Sequence, residues 1–225
     1  MTIFARKRIS SLLFVGFLAG LFAASASAKL LELKPGEKSI EGVKLAKEAV
    51  FMADGKPVTL AAYASGIRKK KVALFWAKVY VGQVFAAPGL TVPPATIEDA
   101  RTVLNTQPVV ALTMTFLRDV SAGRQKDAFE DSLETNGVDP HSEAVKPLFA
   151  IVEKGGEAKD TLTTTIVFEH RKDGTEWLHY ENGKGELQSQ SFEKGTLAKV
   201  LSIWFGKPAD SGMERLQNQF LGNAD

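Results

Sequence analysis

The side chains in this sequence that could bind a ligand are Arg68, Lys78 and Tyr80. An arginine guanidinium matches the oxygens of a carboxylate or enolate, and a tyrosine hydroxyl can donate to the same oxygen. Side chains alternate between the two faces of a strand, so a strand running back to Arg68 would place all three even-numbered residues on one face. The same pattern fits a surface arginine at a strand end and a core tyrosine. Spacing alone favours that second interpretation.

These residues lie in the stretch from Gly66 to Phe85, which we predict to be one long strand at the centre of a sheet. Its odd-numbered positions from Ala73 to Val81 are all apolar, and its even-numbered positions from 72 are apolar until Lys78. Apolar groups on both faces are typical of a strand that is covered on both sides. A lysine and a tyrosine on such a strand need partners or a wet cavity, because burying an unpaired charge is costly.

The sequence also excludes several kinds of chemistry. It contains no cysteine, which excludes disulfides, thiol catalysis and cysteine-bound metals. It lacks the G-x-S-x-G, glycine-rich phosphate-loop and H-E-x-x-H motifs. His170 is expected to face Trp177 across a predicted hairpin, so it should not share a metal with His179. We therefore predict no metal site and no cofactor.

Residues 1–28 have the pattern of a cleaved export signal. A basic run, Arg6 to Arg8, precedes an apolar run from Leu12 to Phe22, and Ala26-Ser27-Ala28 forms an A-x-A cleavage site. The apolar run is short for a spanning helix, so we expect a periplasmic protein that begins at Lys29 and has no membrane span. Without this segment, 25 Lys and Arg face 26 Asp and Glu, a net charge of −1 that gives no argument for nucleic-acid binding.

Residues 29–225 are long enough for one domain with a sizeable core. The predicted order is strands, two helices, three strands and two more helices. Val109 to Leu117 alternates as a strand, and Leu197 to Phe205 carries the apolar stripe of a helix. This order is typical of an α+β fold, most simply one large antiparallel sheet with the helices on one face.

Several motifs resemble the chalcone isomerase-like family, in particular its bacterial exported branch. The run Gly66 to Lys70, GIRKK, followed by K-V-Y-V at 78–81, is similar to the family's G-x-R turn and aromatic strand. The tail Ile203 to Asp210, IWFGKPAD, is similar to its I-W-L-G-x-P-x-D ending, and Phe116 to Val120, FLRDV, resembles its middle. The matches extend over about residues 40 to 222.

The resemblance implies an open-faced β-sandwich, with a large antiparallel sheet, a helical layer and a cleft between them. In plant chalcone isomerases the arginine of the G-x-R turn steadies the flavonoid enolate. Arg68 matches that arginine, and Tyr80 stands at the position where those enzymes carry a threonine that orders a water molecule. The tyrosine and asparagine that follow the enzymes' middle strand should fall within Ala122 to Asp131, where neither residue type occurs. Non-catalytic relatives bind fatty acids through the arginine, so the resemblance implies binding rather than cyclisation.

Three functions are open at this point. The first is an exported, non-catalytic protein that binds a small amphiphilic or aromatic anion, such as a fatty acid, with Arg68, Tyr80 and Lys78 around it. The second is an isomerase or intramolecular lyase of the chalcone isomerase type, and the third is a ligand-free interaction module in which Arg68 is structural. In the first case, we expect Arg68 near the base of a cleft, with its charge unpaired until an anion binds.

Overall fold

The computed structural model describes residues 29–90 and 94–223. In that part of the chain, eight antiparallel strands form one sheet in chain order, with five helices between and after them. The strands are β1 (Leu31–Ile40), β2 (Val43–Ala53), β3 (Lys56–Val72), β4 (Phe75–Ala86), β5 (Val109–Phe116), β6 (Thr163–His170), β7 (Glu176–Glu181) and β8 (Leu187–Phe192). The helices are α1 (Ile97–Asn105), α2 (Ala122–Thr135), α3 (Lys146–Gly155), α4 (Thr196–Phe205) and α5 (Ser211–Phe220).

This is the α+β architecture that the sequence predicts. The predicted export signal, residues 1–28, lies outside the described residues. Among the helices of the described ranges, none is long and apolar enough to cross a membrane.

One face of the sheet is covered by the helices and carries the larger core. Strand β5 shows why: Val110, Leu112 and Met114 point into that core, whereas Val109 and Ala111 point to the opposite face. Helix α4 contributes its predicted apolar stripe to the same core. Each large apolar side chain buried there stabilises the fold by about 1.5–3 kcal/mol relative to exposure.

The N-terminal hairpin β1–β2 folds across the second face of the sheet. Gln83 on β4 accepts from the backbone N–H of Ala46 in β2 (3.0 Å), and its amide group donates to the carbonyl of the same residue. The ring of Phe51 in β2 lies 5.3 Å from that of His179 in β7. A second apolar cluster, which includes Phe85, fills the space between. The sheet therefore has helices on one face and its own first hairpin on the other.

The stretch from Gly66 to Phe85 forms parts of two strands and not one. Strand β3 ends at Val72, a two-residue turn follows, and β4 returns antiparallel to it from Phe75. In the turn, Ala73 adopts a φ of 53°, in the left-handed region where Gly, Asn and Asp are the usual residues. The turn thus carries none of the residues that mark a hairpin in a sequence. The prediction of a single central strand is wrong for this reason.

The β6–β7 hairpin is shifted by one residue from the predicted register. His170 lies opposite Glu176 and not opposite Trp177. The connection spans Arg171 to Thr175, where the N–H of Arg171 donates to the carbonyl of Thr175 (2.9 Å). This connection is longer than the two-residue turn on which the predicted pairing depended.

The last helix, α5, packs directly on strand β3. A Cβ added at Gly66 would stand 2.9 Å from Cβ of Gln219, whose Oε1 accepts from the N–H of Ile67 (2.8 Å). A Cβ added at Gly212, at the start of the helix, would overlap the carbonyl oxygen of Lys69. Glycine on both elements therefore lets the helix and strand backbones approach this closely.

Candidate ligand-binding cleft

The β3–β4 hairpin brings Arg68 and Tyr80 together. The two residues are direct cross-strand partners, so their side chains lie on the same face of the sheet. Arg68 is 7% exposed and Tyr80 is 8% exposed, and both line a cleft between the helix-covered face and α2. The two side chains therefore share one face of the sheet as expected, although they lie on two paired strands and not on a single strand.

Lys78 does not join them, contrary to the predicted shared face. Within the β3–β4 ladder the register slips by one residue next to Tyr80, so Val79 is an extra residue on β4. Val79 and Tyr80 both line the cleft as a result. The ammonium of Lys78 instead donates to Oε2 of Glu41 at 2.6 Å. A β-bulge reverses the alternation of every residue beyond it, and counting odd and even positions cannot detect it.

The charge of Arg68 is paired, also contrary to expectation. Its Nη2 donates to Oδ2 of Asp210 at 2.7 Å, and its Nη1 donates to the carbonyl of Lys69. Asp210 is also the N-cap of α5, because its Oδ1 accepts from the N–H groups of Gly212 (2.9 Å) and Met213 (2.8 Å). One carboxylate therefore joins the beginning of α5 to the buried guanidinium on β3.

The electrostatics of Asp210 follow from these contacts. Partial burial acts to raise the pKa of its carboxyl group. The hydrogen bond and positive charge of Arg68, together with the two backbone N–H groups, outweigh that effect, so the pKa lies below the usual 3.8. Asp210 is thus a carboxylate at neutral pH, and the Arg68–Asp210 contact is an ion pair.

Tyr80 occupies a dry position beside this ion pair. Its hydroxyl accepts from Nε1 of Trp204 at 3.1 Å, and its ring lies 5.6 Å from that of Phe116. Burial raises the pKa of the phenol, and the nearby charge of Arg68 offsets only part of that rise. The phenol is therefore protonated at neutral pH. Because it accepts from Trp204, its own proton is available to a second partner.

The cleft has a volume of about 640 Å³, within the range of roughly 300–1,000 Å³ that is typical of small-molecule sites. Its walls are largely apolar and come from three strands, the segment after β5, and helices α2, α4 and α5. The apolar lining residues are Val72, Phe75, Ala77, Val79, Met114, Phe116, Val120, Ala128, Phe129, Ile203, Trp204, Ala209 and Met213.

Seven charged residues also line the cleft. Among these charged residues, which all belong to the described part of the chain, Arg68 is the buried one. The others are exposed: Lys70, Arg118, Asp119, Arg124, Asp127 and Asp131. None of these six was predicted as a site residue. The sequence offered no signal that the charges of α2 line a cleft, although Arg118 and Asp119 do lie in the F-L-R-D-V motif.

A separate polar network lies across strands β6 to β8. His179 sits between two partners, with Nδ1 2.8 Å from Oγ of Ser189 and Nε2 3.0 Å from Oε2 of Glu169. Arg171 also pairs with Glu169 (3.2 Å) and lies 4.5 Å from the ring centre of Trp177. These residues do not line the cleft. In the described part of the chain, no group of three or more His, Cys, Asp or Glu could hold a metal ion.

Comparisons with known proteins agree with the sheet, the helical layer and the sequence motifs. A model of the chalcone isomerase-like family matches residues 37–222. Among solved structures, a fatty-acid binding protein from Arabidopsis thaliana has the same fold, with a TM-score of 0.54 and 13% identity over 84% of this chain and 96% of that chain. No curated protein was found to match. The chain therefore belongs to the chalcone isomerase-like family.

Proposed function

We propose that this protein is a non-catalytic binding protein for a small amphiphilic anion of the fatty-acid kind, held in the cleft beside Arg68. The observation that carries this proposal is a largely apolar cleft with one buried arginine in its lining. Apolar walls suit a hydrocarbon tail, and a guanidinium suits a carboxylate. The fatty-acid binding protein from Arabidopsis thaliana, which has the same fold, supports this class of ligand.

The ion pair with Asp210 leaves Arg68 able to bind a ligand. Its bonds to Asp210 and to the carbonyl of Lys69 use two of the five N–H donors that a guanidinium carries. A ligand carboxylate would share the guanidinium with Asp210 and accept a further hydrogen bond from the hydroxyl of Tyr80. Asp210 also weakens the site for anions, because its negative charge lies close to the same guanidinium.

Helix α2 supports the non-catalytic part of the proposal. Its residues between Ala122 and Asp131 line the cleft where the family's enzymes are expected to carry a tyrosine and an asparagine, and this stretch contains neither. Each positioned proton-transfer group typically contributes about 100- to 10,000-fold to a rate. Loss of both groups should leave little ring closure above background. A stereoselective acceleration of chalcone cyclisation by the purified protein would favour the isomerase alternative.

The Arg68→Gln variant is expected to bind a fluorescent fatty acid at least tenfold more weakly than the wild-type protein. A hydrogen bond to a charged group contributes about 1.5–3 kcal/mol, and about 1.4 kcal/mol corresponds to one factor of ten. Tyr80→Phe should cost less, since the phenol that it removes is an uncharged donor, whereas Arg68→Gln also removes the positive charge beside the carboxylate. Fluorescence titration measures all three affinities.

Two controls make this test specific for the carboxylate. Arg101→Gln removes the same charge from α1, where Arg101 pairs with Glu98 away from the cleft, and should leave the affinity unchanged. A fatty alcohol of the same length should bind the wild-type and Arg68→Gln proteins equally. Asp210→Asn should strengthen binding of the acid, because it removes the competing negative charge. If Arg68→Gln and Asp210→Asn both bind the acid as the wild-type protein does, the cleft is not the site.

We also propose that the protein is exported to the periplasm with residues 1–28 removed. The basic run, the apolar run and the A-x-A site in that segment are the basis for this proposal. Edman sequencing of protein from the periplasmic fraction should begin at Lys29. Recovery of residues 1–28 on protein in the membrane fraction would contradict it.

A further inference from the structure

The tip of the β3–β4 hairpin carries an unusual concentration of exposed apolar side chains. Val72 is 55% exposed, Leu74 is 88% exposed and Phe75 is 77% exposed. The described residues contain seven exposed large apolar side chains, and three of the seven lie within positions 72 to 75. Single exposed apolar residues are ordinary, whereas a contiguous cluster marks a contact surface.

The turn between these side chains has an unfavourable backbone conformation at one residue, Ala73. Ala73 occupies the left-handed region with a φ of 53°, a conformation that is uncommon for residues other than glycine, asparagine and aspartate. A glycine at position 73 would adopt this conformation at lower energy. Backbone strain that persists at an exposed position points to a function of the turn.

Basic residues lie directly beside the apolar tip. Lys70 and Lys71 are exposed on the strand that leads into the turn, and the sequence from 66 to 78 contains no Asp or Glu. Opposite Lys71 on β4 lies Trp76, which has the guanidinium of Arg215 4.6 Å from its ring centre. We call Lys70 and Lys71 the basic collar. A segment that enters the interface of an anionic bilayer typically has apolar side chains at its tip, an aromatic residue behind them and basic residues beside them.

We propose that this hairpin tip inserts into the surface of an anionic lipid bilayer and docks the protein there. The inserted side chains would be Leu74 and Phe75, with Lys70 and Lys71 at the level of the lipid phosphates. Because Val72 and Phe75 also line the cleft, docking would turn the mouth of the cleft toward the bilayer. The docking itself does not depend on what the cleft binds.

The charges at the tip argue against a second copy of the chain as the occupant. A symmetric contact between two tips would bring the collar of one copy, Lys70 and Lys71, against the same residues of the other. Like charges in close contact repel, whereas lipid phosphates attract them. The collar therefore fits a negatively charged surface.

Co-sedimentation with lipid vesicles tests the proposal. The protein beginning at Lys29 is suitable because it contains every described helix and strand. It should bind vesicles made of equal parts of phosphatidylglycerol and phosphatidylcholine more tightly than pure phosphatidylcholine, and added salt should weaken this preference. The Leu74→Ser/Phe75→Ser double variant should bind at least tenfold more weakly. Lys70→Glu/Lys71→Glu should lose at least about 25-fold on the anionic vesicles, since each basic residue near the surface contributes about fivefold.

Matched controls come from other hairpins of the same sheet. Met52→Ser changes an apolar side chain that is 57% exposed near the β2–β3 turn, and Lys172→Glu reverses an exposed charge in the β6–β7 turn. Both should bind as the wild-type protein does. Brominated lipids should also quench the fluorescence of Trp76. In the Trp76→Phe variant, the quenched component of the fluorescence should be absent. Thermal melts of the serine and glutamate variants should match the wild-type melt, because the side chains that they alter are exposed.

The results that would overturn the proposal are distinct. Equal vesicle binding by the wild-type protein and Leu74→Ser/Phe75→Ser would show that the tip does not touch lipid. Equal binding to both vesicle types would remove the role of the collar. Self-association of the wild-type protein that the double variant abolishes, without vesicle binding, would identify a contact between copies. These assays contain no fatty acid, so their failure is independent of the ligand titrations.

Discussion

The Gly212→Ala variant is expected to unfold well below the melting temperature of the wild-type protein. The added Cβ would overlap the carbonyl oxygen of Lys69 and Nη1 of Arg68. A carbonyl oxygen in a paired strand cannot move away as a flexible side chain can, so α5 itself must shift. Overpacking of this kind costs about 1–3 kcal/mol and sometimes more. For a protein of this size each kcal/mol lowers the melting temperature by about 2–4 °C.

Two other glycines calibrate this result. Gly123 lies on the exposed face of α2 with nothing within 4 Å of an added Cβ, so Gly123→Ala should raise stability by about 0.4–1 kcal/mol. At Gly66 the added Cβ would meet the side chains of Gln219 and Leu216, which can adjust in part, so Gly66→Ala should fall between the two. Differential scanning calorimetry gives the order. A Gly212→Ala melt equal to that of the wild-type protein would show that α5 does not need this close approach to β3.

The sequence predicted well those elements whose signals are local. Helix α4 carries the apolar stripe that was predicted for Leu197 to Phe205, and β5 alternates between two faces as predicted for Val109 to Leu117. The β3–β4 turn was missed because Ala73 takes a conformation that its residue type rarely signals. The bulge at Val79 was missed because it is defined by pairing with β3 and has no mark of its own in β4.

In the candidate site, too, the residues with a sequence signal were predicted and the long-range contact was not. Arg68 and Tyr80 were found because family motifs contain them, and they do lie together in the structure. The partner of Arg68 was missed, since Asp210 is separated from it by 142 positions in the sequence. Asp210 both caps α5 and pairs with Arg68, and only the cap is a local feature that a sequence pattern can indicate. Long-range pairing of this kind is a property of the packed fold.

The Asp210→Asn variant is expected to lose about 3 kcal/mol of stability, at the low end of the range for breaking a buried ion pair. The low end applies because 36% of the Asp210 side chain is exposed, whereas that of Arg68 is 9% exposed. Asparagine keeps a side-chain oxygen for the cap of α5, so the loss reports the missing charge beside Arg68. Asp210→Ala also removes the cap and should lose about 0.5–2 kcal/mol more.

The pH dependence of stability tests whether the charge of the Asp210 carboxylate causes the stability difference between the wild-type protein and Asp210→Asn. The pKa of Asp210 in the folded protein lies below its usual 3.8, so folding favours the charged form. This stability is fully present above the unfolded pKa of about 3.9 and is lost as the pH falls through the lower folded value. The gap in stability between wild type and Asp210→Asn should therefore be constant at pH 5–7 and narrow below about pH 4. A gap that does not change down to pH 2 would mean that the charge is not responsible.

The two partners of the ion pair should respond unequally to removal. Asp210→Asn strands a buried guanidinium, whereas Arg68→Gln leaves a carboxylate that is partly in water and still caps α5. Arg68→Gln should therefore be the less destabilising change. The Arg68→Gln/Asp210→Asn double variant should be more stable than Asp210→Asn alone, because no unpaired charge remains in it. Asp119→Asn, which breaks an exposed pair with Lys159, serves as the control and should change stability far less. If the double variant is no more stable than Asp210→Asn, the stranded charge of Arg68 is not what destabilises that variant.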